Sequence, residues 1–168
     1  MHRYKAFNGP MPTTSALASV TTGTSIKTML QLATPSTRQI QPIAWGFSLD
    51  DPPGADGVIE LIQTDVAATV TAHVASGVQP LDPNAPASLL TLGVSATGYT
   101  STVEGTPTAT RVLDAVSLSS VSGESGLMYT YQWMPDERPI IAVSKFLRVR
   151  ATTPTTAADL RCWIVWDE

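Results

Sequence analysis

The sequence predicts an all-β protein: a single antiparallel β-sandwich, jelly-roll-like, of about eight or nine strands, with an extended N-terminal arm. Three observations predict it. Charged residues make up only 14% of the 168 residues, against about a quarter in ordinary soluble domains. Threonine is the commonest residue and lysine occurs three times, and β-branched side chains suit a pleated, half-buried surface. Short apolar runs alternate with a period of two and are cut at short intervals by Gly, Pro or Ser, which is the pattern of a sandwich or barrel. The length fits one domain with a core of its own.

Residues 1–24 open with MHRYKAFNGPMPTT, which has two prolines, a glycine and no period of either kind, and read as the arm. The domain proper is expected over 25–168. SIKTMLQLA puts Ile26, Thr28, Leu30 and Leu32 on one strand face, and Thr34-Pro35-Ser36 closes it. IQPIAWGFSLD puts Ile43, Trp45, Phe47 and Leu49 on one face. The acidic DDPPGADG is a turn, followed by the strand VIELIQT. Residues 66–75, VAATVTAHVA, leave two readings open. Val66, Val70 and Val74 stand at helical spacing behind Asp65 as an N-cap, while Val70, Ala72 and Val74 also alternate as a strand would. GVQPLDPNAP, with three prolines, reads as a loop. SLLTLGV, YTSTVEG, TATRVLDAVSLS, GLMYTYQW, IIAVSKFLRVRAT and DLRCWIVWD complete the strands. In the last, LRCWIVW is apolar on both faces, as in a central strand or one covered at an interface.

The first 49 residues hold Arg3, Lys5, Lys27 and Arg38 and no acid, so they carry +4. The remainder, with six bases and fourteen acids, carries −8. The net charge of −4 argues against a broad nucleic-acid surface, and the basic start suits an acidic neighbour. No run approaches the roughly 20 apolar residues of a membrane span, and Gly9, Pro10 and Pro12 break the only stretch placed as a leader would be. Cys162 is the single cysteine, so no disulfide and no cysteine-based zinc site can form within the chain.

Chemistry is scarce. Of the two histidines, His2 lies on the arm, and His73 has no G-x-S-x-G partner, so it reads as a hydrogen-bonded structural or interface residue. Asp50, Asp51 and Asp56 share one loop, but Asp in turns commonly bonds its own backbone. Glu60, Glu104, Asp114 and Glu124 are spread over separate segments, as surface carboxylates are, rather than paired as a glycosidase needs. Neither phosphate-cradling glycine motif occurs. The expectation is a protein that is not an enzyme, with no cofactor, no metal and no small-molecule substrate. Trp45 and Phe47 look like core, whereas Trp163 and Trp166 have opposite parity on one strand, so one of them can meet a second subunit.

The run VAATVTAHVASGVQPLDPNAPASLLTLGVSATGYTSTVEGT, followed by KFLRVRAT and LRCWIVWDE, resembles small structural proteins encoded among the virion genes of tailed phages of actinobacteria, the capsid decoration or minor capsid proteins. The similarity covers most of residues 38–168 and is one of texture and segment order, without a catalytic motif. It implies a β-sandwich knob on the capsid exterior, often a homo-trimer, that reinforces contacts between copies of the major capsid protein. On that reading Arg3, Tyr4, Lys5 and Phe7 form a capsid-contact arm, and Trp163, Trp166 and His73 lie at a subunit interface. The other reading from the sequence is a carbohydrate-binding or host-attachment module of a tail or fibre, with tryptophan as the sugar platform.

Overall fold

The computed structural model describes residues 2–120, 127–153 and 155–168. They form two antiparallel sheets of six strands each, neither closed into a barrel. The strands are β1 (Arg3–Phe7), β2 (Val20–Thr21), β3 (Lys27–Ala33), β4 (Gln41–Leu49), β5 (Gly57–Thr64), β6 (Thr69–Ala72), β7 (Val78–Pro80), β8 (Gly98–Val103), β9 (Thr110–Leu118), β10 (Met128–Gln132), β11 (Phe146–Thr152) and β12 (Asp159–Asp167). The first sheet runs β10-β4-β12-β1-β7, with β2 also on β12; the second runs β6-β8-β3-β11-β5-β9.

The core follows from the alternation. Trp45, Phe47 and Leu49 on β4 and Leu160, Cys162, Ile164 and Trp166 on β12 turn inward and are buried. Leu30, Leu32, Ile59, Leu61, Leu147 and Val149 of the second sheet belong to the same buried cluster. Each such side chain contributes roughly 1.5–3 kcal/mol when fully buried. As the apolar run LRCWIVW foretold, β12 is a central strand, with β4 on one side and β1 and β2 on the other.

Two polar contacts join the sheets at opposite flanks. Asp114 on β9 accepts hydrogen bonds from Trp45 Nε1 at 2.9 Å and from the Tyr129 hydroxyl at 2.7 Å. His73, just past β6, bonds the Phe7 carbonyl at 2.9 Å. A carbonyl only accepts, so Nε2 carries the proton.

The structure departs from the sequence-based expectation in several places. Residues 1–24 do not form a projecting arm: β1 lies between β12 and β7, because Tyr4 and Ala6 alternate inward and fill the core while Arg3, Lys5 and Phe7 face out. Of the two readings left open for residues 66–75, the structure takes the strand at Thr69–Ala72, in keeping with its β-branched content. Val78–Pro80, inside the expected proline loop, pairs with β1 as a short edge strand, where proline is tolerated. SLLTLGV forms no strand; its amides bond scattered acceptors, Thr91 to the Ala33 carbonyl and Leu89 to the Glu168 carboxylate. IIAVS contributes only the bridge Ile40–Ile141. With the two-residue β2, also inside the expected arm, the strands number twelve among the described residues rather than eight or nine.

Candidate functional site

The outward face of the first sheet carries a patch of unusual chemistry. Register aligns Phe7, Trp163, Gly46 and Thr130 in one row across β1, β12, β4 and β10, and Lys5, Val165, Ala44 and Gln132 in the next. The Lys5 ammonium sits 4.6 Å from the Phe7 ring centroid and 4.5 Å from that of Trp163. It is thus held by the negative faces of two rings. Burial lowers its pKa, and among the described residues no carboxylate pairs with it. The neighbouring cations are paired, Arg3 with Asp167 at 3.4 Å and Arg161 with Asp50.

Gly46 makes the patch possible. A Cβ there would stand 2.6 Å from the Tyr129 carbonyl oxygen and 2.8 Å from Trp163 Cζ2. Only glycine lets the indole lie across β4 while β10 keeps its pairing. A glycine inside an otherwise apolar, alternating strand is a signal of close approach, and it passed unused in the sequence reading.

Of the residues singled out in the sequence, the structure brings Lys5, Phe7 and Trp163 together on this face, with Arg3 at its margin. Tyr4 does not join them. It is buried, stacked on Trp166 at 5.9 Å with its hydroxyl donated to the Pro86 carbonyl. Trp166 is 0% exposed and lies in the core, with no face turned outward. His73 is 3% exposed, packed on Tyr99 with ring centroids 4.8 Å apart and under Gly77, where a Cβ would collide with Nδ1. Burial pushes its pKa down, against the smaller upward pull of the Phe7 carbonyl. It joins the two sheets by gripping β1.

Among the acidic side chains of the turns and strands, Asp51 aside, Glu60, Glu104, Asp50, Asp56 and Asp82 have separate partners. Glu60 takes Arg150. Glu104 accepts from the Thr28 hydroxyl at 2.6 Å and pairs at 3.5 Å with the wholly buried Arg148, whose pKa burial lowers to about 10. Asp50 takes Ser19 and Arg161, Asp56 takes Ser120, and Asp82 bonds the Asn84 amide in its own turn. Glu124 lies outside the described residues. Among the described residues no group of three or more His, Cys, Asp or Glu is placed to hold a metal ion, and no helix is long and apolar enough to cross a membrane. Comparison with family models, with curated proteins and with solved structures found no match.

Proposed function

We propose that this chain is a structural virion protein of a tailed phage, not an enzyme, which binds the outside of the capsid and reinforces contacts between capsid subunits. On this reading the two sheets are a jelly-roll-like sandwich serving as a knob, present as a homo-trimer, and the partner is the major capsid protein. The observation that carries it is the patch of Lys5, Phe7 and Trp163. A partly desolvated ammonium with no carboxylate of its own, flanked by two aromatic rings, is complementary to an acidic and apolar protein surface. Many such contacts, repeated over a shell, make modest individual affinities effective.

Lys5→Glu tests this directly, because the side chain faces out and its replacement leaves the core alone. Binding to undecorated capsids is expected to fall at least about tenfold, while cooperative thermal unfolding persists. Unchanged binding by a folded variant overturns the reading. Deleting the N-terminal segment is not an equivalent test, since it removes the core residue Tyr4.

One observation favours a carbohydrate-binding or host-attachment module instead: Trp163 is a partly exposed indole spread over a glycine, an arrangement open to sugar stacking. Trp45, Trp133 and Trp166 are buried, so a glycan-induced fluorescence change would report Trp163. Specific glycan binding lost in Trp163→Ala would favour this second reading.

A further inference from the structure

Every hydrogen-bond, ion-pair and strand-pairing partner of residues 2–8 among the described residues lies beyond residue 70. His2 and Glu168 exchange backbone hydrogen bonds of 3.2 and 3.0 Å. β1 runs along β12 on one side and β7 on the other. Tyr4 packs on Trp166, Phe7 receives His73, and Asn8, fully buried, bonds Leu160 and Cys162. The slot is a finished groove of the strand-addition kind, and the strand within it reaches it through a separate tether.

That tether is far longer than its place requires. The Asn8 amide bonds the Cys162 carbonyl and Val20 pairs with Leu160, so β1 and β2 follow one line along β12, two positions or roughly 7 Å apart. One residue would bridge them; the chain uses eleven, Gly9–Ser19, with an extended reach of about 36–40 Å. Among the described residues no backbone–backbone hydrogen bond holds residues 9–19. The segment is secured by Arg161 Nε on the Leu17 carbonyl and by Ser19 on Asp50, and Pro10 and Pro12 favour an extended path.

We infer that the N-terminal strand is exchangeable: residues 2–8 of one copy fill the slot between β12 and β7 of a second copy, with Gly9–Ser19 as the hinge. The occupant is this chain's own segment because the groove is already shaped to it, with Tyr4, Ala6 and Asn8 at its buried positions. Exchange preserves every bond of the slot, and the tether alone changes course. The inference stands whether or not the protein decorates a capsid.

Lys5→Cys with Val165→Cys tests it by placing thiols on facing residues of β1 and β12. Cys162 is wholly buried, and burial pushes its thiol pKa up, so it stays out of the exchange chemistry once the chain is folded. The protein is refolded under reduction at high concentration, oxidised, and separated on a denaturing gel. Disulfide-linked chains are expected, decreasing on dilution before refolding. A second variant also lacks Pro10–Ser19, so that Gly9 alone joins Asn8 to Val20 and the strand cannot leave its own slot; interchain linkage is expected to drop at least about tenfold. Only intrachain disulfides at every concentration, or equal interchain linkage with and without the tether, overturns the inference. The full-length variant decides the question if the shortened chain does not fold.

Discussion

At the scale of single residues, two polar contacts between the sheets make distinct predictions. Asp114→Ala leaves Trp45 Nε1–H and the Tyr129 hydroxyl without their acceptor. A cost of roughly 2–4 kcal/mol is expected, seen as a lower Tm, with a smaller loss in Asp114→Asn, which keeps an acceptor oxygen. His73 sets a pH dependence. Its folded pKa lies below the ordinary 6.5 because burial disfavours the charged ring. The unfolded chain therefore takes up a proton where the folded chain does not. This contribution is present in full above about pH 6.5 and is lost as pH falls through that value toward the lower folded pKa. Carboxylates such as Asp65, held at about 2 chiefly by the Thr108 hydroxyl, weaken the fold only at lower pH, below about 4. Urea midpoints between pH 7.5 and 5 separate the two, and His73→Gln, which still donates to Phe7 but does not titrate, should flatten the slope. Neither contact was legible in the sequence. Asp114 and Trp45 are 69 positions apart and His73 and Phe7 66, and no local pattern encodes which distant donor a carboxylate will meet.

At the scale of elements, period-two alternation made β4 legible and the unbroken apolar run LRCWIVW made β12 legible, since both lie in the middle of the first sheet and bury enough side chains to stamp a pattern on the sequence. β1 alternates in its burial, Tyr4 and Ala6 inward, but it is five residues long ahead of two prolines, and a run that short is indistinguishable from an arm until a partner strand is known. The same ignorance hid the patch on the outward face of the first sheet. Lys5 and Phe7 stood out for charge and aromaticity and Trp163 for its parity, yet their meeting depends on β1 pairing with β12 at the far end of the chain. Gly46 is where this pairing can be probed. Gly46→Val drives a side chain into the Tyr129 carbonyl and the Trp163 ring, so either β10 separates from β4 or the indole lifts away. A destabilisation of about 1–3 kcal/mol is expected, together with a changed environment for Trp163 in near-ultraviolet circular dichroism. Unaltered stability and spectrum would show that the row Phe7, Trp163, Gly46 and Thr130 is not packed as described.

At the scale of the whole molecule, the first sheet is completed by pairing the two ends of the chain, with nearly the entire sequence closed as a loop between them. Closing so long a loop carries an entropic cost that a local hairpin avoids, and contacts this distant in sequence slow folding. The geometry offers a way to remove that cost. His2 and Glu168 exchange both backbone hydrogen bonds, which is the pair that flanks a two-residue hairpin turn. A permuted chain running from Thr14 to Glu168, through Asn-Gly, and on from His2 to Thr13 would present β12 and β1 as consecutive hairpin strands, with its new ends in a segment that makes no backbone–backbone hydrogen bonds among the described residues. The same secondary structure and faster refolding than the natural order are expected. The hairpin also fixes β1 beside its own β12 at a far higher effective concentration than any second copy supplies. With the same cysteine pair, the permutant should therefore give intrachain disulfides alone at concentrations where the natural chain links to its neighbours. A permutant that folds natively and refolds no faster would show that the joining of the two ends is not the slow step. Interchain linkage as extensive as in the natural chain would show that those links come from a contact other than strand exchange.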